Sequence, residues 1–168
     1  MLPRSGLVQW LVMLTTHVAL PKFQSAGPFV VEAALVDDPQ TEGLRYGATL
    51  TVGKSKLGLV CTKGSEWARY YTTCVLSAGG RSVSVRTFVP DSQGLGWGPL
   101  WVQLWVVSGR ARLTLFSDED KPYYSTPIDM SAQSGVLAVD GLEPNGDCSL
   151  SANLQNPALM IRAVEVGR

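Results

Sequence analysis

The sequence predicts an all-β chain folded as an antiparallel β-sandwich, jelly-roll-like, with about 10–11 short strands. Two observations carry this: apolar residues alternate with polar ones over many short runs, and glycine-bearing turns or Gly/Pro clusters separate those runs. A third agrees with them, since no long segment shows the 3.6-residue spacing of an amphipathic helix.

Residues 97–117, WGPLWVQLWVVSGRARLTLFS, read as a hairpin closed by Ser108-Gly109. A two-residue loop sets Val106 opposite Ala111, Leu104 opposite Leu113 and Val102 opposite Leu115, so one side is wholly aliphatic and belongs in a core. The reverse side pairs Trp105 with Arg112, Gln103 with Thr114 and Trp101 with Phe116. Trp105 and Arg112 are expected to stack as ring and cation. A second hairpin repeats the pattern around Gly79-Gly80. Leu76 meets Val83, Cys74 meets Val85 and Thr72 meets Thr87, while Tyr71 with Phe88 and Thr73 with Arg86 occupy the reverse side.

The remaining elements are simpler. Residues 29–36 are an apolar run interrupted by Glu32, residues 44–52 alternate strictly, and residues 57–62 follow the break at Gly53. Residues 136–139, 148–154 and 158–166 read as the last strands, punctuated by Gly141, Pro144-Asn145-Gly146 and Asn156-Pro157. Residues 90–100, which contain Trp97, and residues 118–134 are long connections, the second with room for a short helix. Before all of these, Arg4 and the apolar run Leu7–Leu14 resemble a secretory signal. That run is far short of the roughly 20 residues needed to cross a bilayer, and the expectation is a retained segment. Residues 1–27 are therefore assigned as an apolar N-terminal strand or docking arm, and residues 28–168 as one sandwich domain.

Composition narrows the function classes. Fourteen basic and fourteen acidic residues cancel without forming runs, which argues against a nucleic-acid surface. Charged residues make up 17% of the chain, below the usual ~25%, as expected of an exterior partly covered by neighbours. Cys61, Cys74 and Cys148 match no zinc spacing and are read as free thiols suited to a reducing compartment, with one disulfide and one leftover thiol as the lesser alternative. His17 is the only histidine, so any Ser/His/Asp or Cys/His site would depend on it, and no enzyme activity is expected. Asp118, Glu119 and Asp120, and Asp37 with Asp38, are read as solvated turn residues rather than calcium ligands; no metal and no cofactor is expected.

Two ribbons, each aliphatic on one side and rich in rings and arginine on the other, suggest contact surfaces. The candidate interface comprises Trp10, Tyr71, Arg86, Phe88, Trp97, Trp101, Trp105, Arg112 and Phe116. The leading expectation is a non-enzymatic assembly protein of a bacteriophage virion: a capsid cement or decoration protein, or a tail or baseplate subunit. Its partners would be copies of itself, with a trimer as one option, and a capsid or tail protein. No nucleic-acid or membrane partner is expected, and assembly would take place in the host cytoplasm. The alternative is a carbohydrate-binding β-sandwich, secreted or tail-associated, whose exposed rings bind a glycan. Residues 70–85, YYTTCVLSAGGRSVSV, resemble the central hairpin of such modules over that one hairpin.

Overall fold

The computed structural model describes residues 8–12, 17–19, 22–35, 45–66, 69–89, 100–116, 133–153 and 159–165. Among them are thirteen strands and no helix. In chain order these are β1 (Val8–Val12), β2 (His17–Ala19), β3 (Phe23–Ser25), β4 (Phe29–Leu35), β5 (Arg45–Val52), β6 (Ser55–Glu66) and β7 (Arg69–Ala78), then β8 (Arg81–Val89), β9 (Leu100–Val107), β10 (Arg110–Phe116), β11 (Gln133–Ala138), β12 (Gly146–Asn153) and β13 (Leu159–Glu165). They form two sheets, every pairing antiparallel. The first runs β1-β13-β4-β9-β10-β11; the second runs β2-β12-β5-β6-β7-β8, with β3 also on β12.

The sandwich inferred from alternation and turn chemistry is thus the fold of the chain. The additional strands arise mainly at the N-terminal end. β2 and β3 have three residues each, too short to carry a periodic signal, and both are set by pairing with β12. β1 joins the first sheet against β13, with Trp10 opposite Ile161.

Both glycine-turn hairpins form in the expected register. Leu104 faces Leu113, Val102 faces Leu115 and Trp105 faces Arg112; Leu76 faces Val83, Cys74 faces Val85 and Tyr71 faces Phe88. Gly79 and Gly80 have φ of 57° and 78°, the left-handed pair that a two-residue turn between right-twisted strands requires. The other turn is held from outside. Gly109 donates its N–H to the Leu142 carbonyl at 2.8 Å, accepts from the Val139 N–H at 2.9 Å, and Ser108 Oγ donates to Glu143 Oε1 at 2.7 Å.

The aliphatic faces of the two sheets meet in one core. Phe29, Val106, Leu113 and Leu115 from the first sheet are buried with Leu50, Leu57, Leu76 and Val85 from the second. Residue size is matched across the layers near β11. Gly135 pairs with fully buried Leu113 on β10, and a Cβ added at Gly135 would lie 2.6 Å from Val83 Cγ2 and 3.0 Å from Val85 Cγ2 of the opposing sheet. Glycine is required there by close approach of the sheets.

The cysteines correct an expectation. Cys61 and Cys74 stand directly opposite on β6 and β7, with Cα atoms 4.0 Å apart, and are joined by a disulfide. Only Cys148 is a free thiol. Between β6 and β7 the sequence reads Trp67-Ala68, without the glycine or asparagine that marks a tight turn, so the register that aligns the first two was not evident in the sequence. Cys148 is buried on β12, and desolvation, helped by the neighbouring Asp147 charge, pushes its thiol up to about 11. A thiol protonated more tightly in the folded state favours folding below its ordinary value of 9.0, and this contribution fades as pH rises through that value toward 11. The urea midpoint of the native chain should therefore fall between those pH values by more than that of Cys148→Ala. Equal slopes would remove the assigned burial effect.

Candidate functional site

The outward side of the first sheet collects the unusual chemistry. Strand parity places Val30 and Glu32 of β4, Trp101, Gln103 and Trp105 of β9, and Arg112 and Thr114 of β10 on it, opposite in sense to the core-facing Val31, Val102, Leu104 and Leu113. Pairing arranges these residues in rows across the strands. One row runs Glu32, Gln103, Thr114; the next runs Val30, Trp105, Arg112, Val136.

Most of this side is withdrawn from solvent. Glu32 is 7% exposed, Trp101 5% and Thr114 2%, whereas Gln103, Trp105 and Arg112 are half-buried. Val136, at the end of the second row, is 56% exposed. Gln103 Nε2 donates to Glu32 Oε2 at 2.7 Å, so the buried carboxylate has a partner within the row. The Arg112 guanidinium lies 5.1 Å from the centre of the Trp105 ring, the stack expected from the hairpin register. Burial, with a contribution from the like charge of Arg110, draws the Arg112 pKa below the ordinary guanidinium value.

Four polar atoms on this side are buried without a hydrogen-bond partner: Gln103 Oε1, Trp105 Nε1, Arg112 Nε and Thr114 Oγ1. Each such atom costs about 1–3 kcal/mol relative to a satisfied one. No other described side chain shares this condition, so the deficit is confined to one patch of two adjacent strands.

The outward side of the second sheet differs. It presents small polar residues such as Thr49, Thr62, Ser77 and Ser84, with Tyr71 and Arg86 near one end. The Arg86 guanidinium sits 4.2 Å from the Tyr71 ring centre and Nε donates to Thr73 Oγ1 at 3.1 Å. The Tyr71 ring covers Gly64 of β6; a Cβ there would approach its Cζ to 2.6 Å.

The proposed interface residues therefore divide. Trp105 with Arg112 and Tyr71 with Arg86 form two separate stacks on opposite sides of the sandwich. Trp101 lies on the expected side and is buried within the chain. Trp10 holds the register position opposite Ile161, itself opposite Ala33. Phe88 and Phe116 hold register positions opposite Tyr71 and Trp101. Trp97, Asp37, Asp38, Asp118, Glu119 and Asp120 lie outside the described residues. His17 falls on β2 opposite Asn153. Among the described residues, no group of three or more His, Cys, Asp or Glu side chains is placed to hold a metal ion. The unpaired set of Gln103 and Thr114 escaped the sequence reading, because alternation marks them as outward-facing and is silent on whether an outward face is dry.

No family model matches the chain, and no curated protein matches it. Solved structures that resemble it include the CBM2 module of the evolved Dit protein of Lactobacillus casei BL23 phage J-1, at 12% identity and a TM-score of 0.47, covering 90% of this chain and 70% of that one. A legume lectin-like domain from Entamoeba histolytica is similar at 7% identity and a TM-score of 0.48, covering 96% and 91%. A toad ovary galectin in complex with thio-digalactose is similar at 12% identity and a TM-score of 0.44, covering 95% and 98%. The fold assignment rests on the chain's own two sheets; similarity at this level lends it no role.

Proposed function

We propose that the protein is a non-enzymatic binding module that engages a saccharide on the outward side of its first sheet, around Trp105 and Arg112. The observation that supports this most is the confinement of four unpaired polar atoms to a patch beside a stacked indole. The set is mixed: Trp105 Nε1 and Arg112 Nε only donate, Gln103 Oε1 only accepts, and Thr114 Oγ1 does both. A sugar supplies hydroxyls that donate and accept at close spacing, together with an apolar ring face that an indole can cover. Gln103, Trp105 and Arg112 are half-buried, so rotamer changes at the solvent border can turn their polar ends toward a ligand. The Cys61–Cys74 bridge suits an oxidising compartment, in keeping with an exported or particle-borne protein.

On a glycan array followed by affinity electrophoresis, saturable binding is expected, and Trp105→Ala should weaken it by about tenfold or more, or ~1.4 kcal/mol. Arg86→Ala, on the other sheet, should leave it unchanged. Absence of saturable binding, or full binding by the Trp105 variant, would overturn the reading.

A second reading, a bacteriophage virion component such as a capsid decoration or tail subunit, is favoured by the Tyr71–Arg86 stack on a side of small hydroxyl residues that allows close approach of another surface. A chain that binds no glycan but sediments as an oligomer, and loses that state on Arg86→Glu, would transfer the assignment to this reading.

A further inference from the structure

At one end of the sandwich, turns of the second sheet and the end of β11 border a half-open cleft of about 380 Å³, within the usual range for small-ligand sites. It is lined by Lys54, Ser55, Lys56, Ala78, Gly79, Arg81, Ala138, Val139 and Asp140. The second sheet contributes the turns between β5 and β6 and between β7 and β8; the first contributes the end of β11 and the bend after it.

Charge is arranged unevenly here. Lys54, Lys56 and Arg81 share the lining with a single carboxylate, Asp140, and among the described residues none of the four makes an ion pair. Three of the protein's fourteen cations thus gather around one concavity although the chain as a whole is neutral. Apolar Ala78 and Val139 are buried in its wall, and low-dielectric walls focus the field of cations at a cleft mouth. The far wall is fixed rather than loose. Val139 donates to Gly109 O at 2.9 Å in the β9–β10 turn of its own sheet, and Ser55 Oγ donates to Gly141 O at 3.4 Å, which ties the bend to the opposite sheet. Gly79 leaves the entrance open, since a Cβ at that position would meet nothing within 4 Å.

We propose that this cleft binds an oxyanion: the sulfate, phosphate or carboxylate group of a ligand, with Arg81 as the bidentate contact and Lys54 and Lys56 as flanking charges. The site lies between the sheets at their end, apart from the outward patch of Trp105, and stands or falls independently of the saccharide reading.

The test is calorimetric titration of the intact protein with dextran sulfate, polygalacturonate, neutral dextran and inorganic phosphate. Binding of a charged polymer, of phosphate, or of both is expected, with none of neutral dextran; which ligand binds separates a polymer-borne from a free anion. Arg81→Gln should weaken that binding by about tenfold, and Lys54→Ala with Lys56→Ala by a similar factor. Arg81, Lys54 and Lys56 are exposed, so an unchanged urea midpoint should accompany the loss. Trp105→Ala should retain anion binding, which keeps the two sites distinguishable. The proposal is overturned if no anion binds, or if Arg86→Ala, a cation removed elsewhere, weakens binding as much as Arg81→Gln does.

Discussion

Replacing Cys61 and Cys74 together by alanine is expected to lower the free energy of unfolding by about 2–4 kcal/mol, the largest single loss among the changes considered. The bridge closes a segment with a sequence separation of 13, and a loop of that size loses about 3 kcal/mol of chain entropy in the unfolded state when cross-linked. The hairpin itself should survive, because β6 and β7 remain paired from Gly58↔Ser77 to Glu66↔Arg69 and Leu76 keeps its place in the core. Urea unfolding monitored by circular dichroism gives the measurement. The native protein in reducing agent should unfold at the midpoint of the double variant, and an unchanged midpoint in both would show that the pairing alone fixes this hairpin.

Gly135→Val should cost about 1–3 kcal/mol by overpacking. The added side chain projects toward the facing sheet, where Val83 and Val85 already occupy the volume above the Gly135 Cα, and neighbouring Leu113 has no solvent-exposed side to move into. Val83→Ala alone opens space and is itself destabilising. Combined, the two changes are expected to be less harmful than their sum by at least ~0.5 kcal/mol, because the second removes the atoms that the first strikes. Additivity in a double-mutant cycle would mean that the sheets do not meet at this point.

How far the sequence could be read depended on turn chemistry. Gly79-Gly80 and Ser108-Gly109 pin the register of two hairpins residue by residue, and with it the inner and outer faces of four strands. The Trp67-Ala68 connection carries no such mark, so the neighbouring positions of Cys61 and Cys74 were hidden and with them the disulfide. Alternation also placed Trp101 and Trp105 on one face correctly, yet one is buried and the other half-buried. Parity assigns a side of the sheet; burial depends on what the rest of the chain lays there. The basic cleft was invisible for a related reason. Lys54 and Arg81 belong to turns separated by a complete hairpin, and only the order β5-β6-β7-β8 opposite β11 brings them to one opening.

The strand order also dictates when the molecule can fold. β13 lies between β1 and β4, and β12 lies between β5 and the short strands β2 and β3, so each sheet is bridged by a segment made long after the strands it joins. A nascent chain halted before residue 146 would hold its earliest strands with no neighbour to bond, their ladder edges bare. Native pairing of these strands must therefore await the emergence of β12 and β13, and until then these open edges are where a holding chaperone would act or where two growing chains would stick together.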